Sequence, residues 1–142
     1  MSKPTFTTAL EAEAAFYQAL AQGDLDALMA VWSEEEDVVC VHPGGPRIVG
    51  LAAIRETWRQ ILAGGNRLQI EVSQPVITAS AAMAMHCVFE QVALESREQR
   101  SATLAVTNVF TRGADGWHMV LHHASPVPDL SDFGDLSPRV VH

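Results

Sequence analysis

Residues 101–125 read SATLAVTNVFTRGADGWHMVLHHAS. Two runs rich in β-branched and apolar residues, 101–112 and 117–125, flank the turn residues Gly113-Ala114-Asp115-Gly116, which is the pattern of an antiparallel hairpin. Upstream, 67–79 and 82–94 have the same character, with turns expected near Ser80 and Ser96. Consecutive short connections leave no room for crossover helices, so the second half of the chain predicts an antiparallel meander. The same stretch holds a functional clue. Asn108 sits in LAVTNVFT and His122 in WHMVLHH, where a core strand would ordinarily be apolar. His86 in AMAMHCVFE and His42 in DVVCVH repeat the anomaly. A buried imidazole or amide must find a partner, so several of them predict a lined pocket rather than a solid core.

The first half has helical spacing. Thr8 followed by Glu11 predicts a capping box opening a helix over 8–22, with Phe6, Leu10, Ala14, Tyr17 and Ala21 on its apolar face and Phe16 and Leu20 widening it. Gly23 stops this helix. Asp24 caps a second, where Leu25, Leu28, Met29 and Trp32 form a stripe. The acidic run Glu34, Glu35, Glu36 and Asp37 reads as a solvated turn leading into a strand over 37–42. PGGPRIVG then breaks regular structure, and a third helix is expected over 51–63, with Leu51, Ile54, Trp58, Ile61 and Leu62 facing inward. The whole predicts an α+β fold: three N-terminal helices on a strongly curved antiparallel β-sheet, cone-shaped with an internal cavity. Residues 1–126 are expected to form one domain and 127–142 an irregular tail. The outer face of such a sheet needs cover, and a homodimer through the sheet is the expected way to provide it.

At 142 residues, 48% hydrophobic and 18% charged, the chain is large enough for one well-filled core. Nine Lys and Arg against seventeen Asp and Glu give a net charge of -8, and Lys3 is the only lysine. That balance opposes phosphate-backbone binding, so nucleic acid is excluded as an expected partner. With no charged-then-apolar leader and no apolar run of about eighteen residues, no membrane association is expected and the default location is cytoplasmic. Cys40 and Cys87 lie in apolar strand contexts and read as buried thiols.

Three pieces carry a family resemblance: AFYQALAQGDLDALMAVWSEEEDVVCVHPGG, GLAAIRETWRQIL and TNVFTRGADGWHMVLHHASP. Together with the order of elements they resemble the nuclear transport factor 2-like superfamily, nearest to its SnoaL-like and ketosteroid-isomerase-like branch, over residues 7–125. The resemblance implies the cone fold and dimerisation through the sheet. The superfamily includes isomerases, cyclases, dehydratases, hydrolases and domains that only bind or assemble, so fold does not settle function. In ketosteroid isomerases an Asp immediately before a Pro acts as general base, and His42-Pro43 matches that pair. The aromatic hydroxyl those enzymes carry on the first helix is matched by Phe16, with Tyr17 one residue out of register. Their second oxyanion donor falls near Thr107 or Asn108. The changed base and the lost hydroxyl count against ketosteroid isomerisation itself.

The catalytic candidates are therefore His42, Asn108 and His122. A histidine titrating near neutrality can take and return a proton, and His42 is placed for that role or for fixing the Pro-Gly-Gly turn. Asn108 can donate to a ligand oxygen or satisfy a structural network. His122 and His123 point to opposite faces of a regular strand, and which faces inward is open. His86 reads as a structural or interface residue. Phe16, Tyr17, Met29, Trp32, Trp58 and Phe110 are the expected ligand-binding wall, suited to a small, largely apolar molecule carrying a carbonyl or hydroxyl. There is no HExxH or CxxC spacing, so no metal or cofactor is expected, with a nonlocal set of His42, His86 and His122 the open alternative. The favoured function is small-molecule binding. The alternatives are a cofactor-independent isomerase, cyclase or dehydratase-like enzyme with His42 as general base, and a structural homodimeric assembly domain.

Overall fold

The structure, a computed structural model, describes residues 4–35, 37–94 and 101–128. The Ser96 turn, Glu36 of the acidic run and the tail beyond 128 lie outside the described residues. Helix α1 spans Ala9–Gln22. The Thr8 hydroxyl accepts from the Glu11 amide at 3.0 Å, and Gly23 closes the helix in the left-handed region, φ 65°. Its buried stripe is Ala9, Ala12, Glu13, Phe16, Ala19 and Leu20. Leu10, expected on the inner face, is 58% exposed, and Ala14 is also exposed. The helix is rotated so that the Phe16–Leu20 line faces the sheet, and a carboxylate, Glu13, comes with it.

Helix α2, Leu25–Ala30, starts on Asp24, whose carboxylate accepts from the Ala27 amide at 3.0 Å. Strands β1, Val39–Val41, and β2, Arg47–Val49, form a hairpin across the His42–Gly45 turn, closed by Gly45 N–H donating to His42 C=O at 2.8 Å. Helix α3, Leu51–Ile61, buries Ile54 and Trp58, with Leu62 just beyond. Long strands follow: β3 Leu68–Ala79, β4 Met83–Leu94, β5 Ser101–Gly113 and β6 Gly116–Pro126.

The six strands run in the order β2-β1-β6-β5-β4-β3. β3 to β6 form the expected antiparallel meander, but β1 pairs with β6 in parallel, so the sheet is mixed. β2 was not expected, because Pro-Gly-Gly-Pro reads as a break although it can also turn a hairpin. Helix α1 touches β3, β5 and β6 together, so the open sheet must curl around it. Register shifts between Ser73 and Val76 and between Val109 and Phe110 provide bends of the kind bulges produce.

The second shift determines the phase of β6. Phe110 pairs with Met119 and Val109 with Leu121, leaving Val120 as the extra residue. Met119 and His122 are both buried despite their odd spacing, and His123 is exposed. Phe16, Leu20, Leu28, Trp32, Ile54, Trp58, Phe110 and Met119 fill the space between helices and sheet. Among the described residues no helix is long and apolar enough to cross a membrane.

Candidate functional site

The four anomalous polar residues divide between one cross-strand row and its rim. His86 of β4 pairs with Asn108 of β5, and Asn108 pairs with His122 of β6. His122 pairs with Cys40 of β1, two residues before His42. This row meets two polar side chains of α1, Glu13 and Tyr17.

Asn108 is fully buried and its amide is saturated. Nδ2 donates to Glu13 Oε2 and to the Tyr17 hydroxyl, each at 3.0 Å. Oδ1 lies 2.7 Å from His122 Nδ1. An amide oxygen can only accept, so His122 carries its proton on Nδ1 and a lone pair on Nε2. Tyr17 donates to Glu90 Oε2 at 2.6 Å. His86 Nδ1 stands 3.1 Å from Glu13 Oε2 without the alignment of a hydrogen bond. The result is a buried chain, His122 to Asn108 to Tyr17 to Glu90, with Glu13 and His86 as a branch. Both amide hydrogens of Asn108 are spent within it, so the expected donation to a ligand oxygen has no free hydrogen.

Burial sets the electrostatics. Desolvation, together with Glu13, pushes Glu90 up to about 7, against the Tyr17 hydrogen bond, which lowers it. His122 is held down to about 3, chiefly by burial and then by His42 and His123. His42 is also lowered by burial. Tyr17 is raised far above the phenol range by burial and by Glu90. Burial takes the Cys40 thiol up to about 12, so it is not a nucleophile at neutral pH.

His42 follows β1, half-buried. Its Nε2 lies 3.0 Å from Thr57 Oγ1 and its ring makes an edge contact with Trp58 at 4.7 Å. The Thr57 hydroxyl has one proton, donated to Ile54 C=O at 2.8 Å. Both contacts are satisfied when His42 Nε2 is the donor, which leaves the lone pair on Nδ1.

Glu90, His42 and His122 converge on a recess of about 180 Å³ between α1, α3 and the sheet, otherwise lined by Leu20, Pro43, Trp58, Ile61, Leu68, Ile70, Val92, Leu104 and Ala124. Of the expected apolar wall, Trp58 lines this recess. Phe16 stands behind it, 4.9 Å from His122 and 5.8 Å from Trp58, and Tyr17 joins the polar chain. Met29, Trp32 and Phe110 do not line it. Met29 packs against the core from α2, and Trp32 is fully buried with its backbone bridged to Met119. Phe110 packs on His86 at 5.0 Å, one inward position nearer the Gly113–Gly116 turn than Asn108. The reason is the length of β5 and β6: their inner faces pass from core at the turn end to recess at the other. Among the described residues no three His, Cys, Asp or Glu side chains are placed to hold a metal ion.

Glu13 and Glu90 were not anticipated. The signal was present, since Glu90 alternates with His86 and Val88 on one face of β4 and Glu13 precedes Phe16 by three on a helix.

The chain matches the family model of the SnoaL-like domain over residues 10–129. It is similar to a protein of Thiobacillus denitrificans provisionally designated a calcium/calmodulin-dependent protein kinase type II association domain. The two share 37% identity over 88% of this chain and 99% of that one, with a TM-score of 0.74. It is also similar to a provisionally designated dehydratase of the nuclear transport factor 2-like family from Streptomyces avermitilis, at 28% identity, 83% and 92% coverage and a TM-score of 0.73. A provisionally designated ketosteroid isomerase of Parabacteroides distasonis shares the fold, at 19% identity, 91% and 99% coverage and a TM-score of 0.70. No curated protein matches the chain.

Proposed function

The chain belongs to the SnoaL-like domain family of the nuclear transport factor 2-like superfamily, and from that premise we propose that it binds one small, largely apolar molecule in the recess beneath α1 and α3. The observation that carries this reading is the recess itself: about 180 Å³ of mostly apolar surface on which His42, Glu90 and His122 converge. Polar groups placed in a core without a solvent path cost stability, and a recess gives them a ligand to meet. The volume lies below the roughly 300 Å³ at which drug-sized sites begin, so the ligand is small. Enzymatic proton transfer by His42 is supported less well, because Asn108 has no hydrogen left for a developing oxyanion.

Native mass spectrometry of the purified protein tests the binding reading. We expect a retained small molecule, lost in Ala124→Phe, which fills the recess from β6. A folded wild-type protein that retains nothing and binds nothing in a fragment screen removes it.

The outer sheet face supports a second reading, association of two copies. Val76 (65%), Met83 (51%) and Met85 (37%) are exposed there, beside a shallow groove of about 470 Å³ that includes Cys87, Phe89, Thr107 and His123. The 37% identical structure provisionally designated an association domain points the same way.

A further inference from the structure

We propose that the recess selects a small apolar amine, held as its ammonium ion by Glu90 and the two imidazoles; this deepens the binding reading above and rests on it. The case is an accounting of hydrogens. His122 spends its ring N–H on Asn108 Oδ1, and His42 spends its own on Thr57 Oγ1. Tyr17 spends its hydroxyl hydrogen on Glu90 Oε2, and Asn108 spends both amide hydrogens on Glu13 and Tyr17. With Glu90 ionised, what these recess-lining side chains leave unspent is a carboxylate and one lone pair on each imidazole, all acceptors. Among the described residues the Trp58 indole N–H has no hydrogen-bond partner, but it is itself buried, so it adds no donor to the recess surface. A ligand that satisfies such a surface must bring hydrogens. A carbonyl or carboxylate would set lone pair against lone pair.

Charge points the same way. Among the described residues no Lys or Arg lines the recess. Tyr17 and Glu13 from α1 act on Glu90, His122 from β6 and His42 after β1 share the recess lining with it, and burial disfavours the charged form of both imidazoles. Glu90, raised to about 7, ionises near neutrality, and its charge is negative. An ammonium ion would stabilise that anion while the Trp58 ring gives it an aromatic neighbour.

Calorimetric titration of the full chain with benzylamine, benzyl alcohol, benzaldehyde and benzoate varies the head group on one ring. Benzylamine should bind at least about tenfold more tightly than the aldehyde or the acid. Its affinity should rise between about pH 6 and about pH 8, with proton release, as Glu90 ionises. Glu90→Gln should remove that pH slope and narrow the gap between amine and alcohol; if the variant does not fold, the wild-type ranking and slope decide alone. Tighter binding of the aldehyde or acid, or amine affinity that falls with rising pH, overturns the amine assignment. A naturally retained compound without a hydrogen-bond donor also overturns it and leaves the binding reading standing. Absence of both probe binding and any retained compound sinks both.

Discussion

Glu90 is 2% exposed and shares a hydrogen-bonded network with a second buried carboxylate, Glu13. Its ordinary value of 4.5 is raised to about 7, so the folded protein holds a proton that the unfolded chain gives up. The stability this proton carries is complete below pH 4.5 and is lost as pH rises to about 7. His122, lowered from 6.5 to about 3, works in the opposite sense, because the unfolded chain takes a proton that the folded state refuses as pH falls through that range. The two slopes oppose each other between 4.5 and 6.5. Glu90→Gln removes one of them. Relative to wild type, the variant should gain about 3 kcal/mol of stability between about pH 4.5 and about pH 8, measured by urea unfolding at each pH. Parallel curves for the two proteins would place Glu90 in a solvated environment. Legibility at this scale follows chemistry: Asn108 and His122 stand out in strands that are otherwise apolar. Glu13 and Glu90 do not, because carboxylates on helices and strands usually face water and what buries these two is a partner about 73 to 95 residues away in sequence.

Elements were readable where their signals are local. The Thr8 and Asp24 caps, the Gly23 stop and the Ser80 and Gly113–Gly116 turns all fall where side-chain chemistry puts them. Gly116 shows why such signals are strong. It has φ 96°, Trp117 N–H donates to Phe6 C=O at 2.9 Å, and a Cβ on Gly116 would lie 2.5 Å from that oxygen. Gly116→Ala should therefore lose more than about 1 kcal/mol, read as a lower thermal midpoint, because it combines an unfavourable backbone region with a backbone clash. An unchanged midpoint would mean that the N-terminal segment does not dock on β6. Nonlocal features were not readable. The parallel pairing of β1 with β6 joins segments about 80 residues apart, and the phase of β6 turns on one extra residue, Val120, that alternation cannot reveal. The rotation of α1 was missed for a related reason: the line through Leu10 and the line through Phe16 have comparable apolar character, and the sheet chose the second.

At the scale of the molecule, two sheet faces have different fates. The inner face of β4, β5 and β6 buries Ala84, Val88, Val106 and Ala124, whereas the outer face leaves Val76, Met83 and Met85 in contact with water. An exposed apolar face on an open sheet is an association surface or a liability, and a pair of chains face to face would cover it. Each copy carries a net charge of -8, so such a pairing would work against long-range repulsion. Added salt shortens the range of that repulsion and strengthens apolar contact, which gives the association an unusual sign: it should tighten as ionic strength rises. Light scattering coupled to size exclusion should report a dimer whose dissociation on dilution is suppressed by salt. Met85→Glu, placing a carboxylate in the middle of the face, should give a folded monomer that keeps the recess, since Met85 and Glu90 project from opposite faces of β4. A wild-type monomer at all salt concentrations, or a Met85→Glu protein that remains dimeric, would move the contact to another surface.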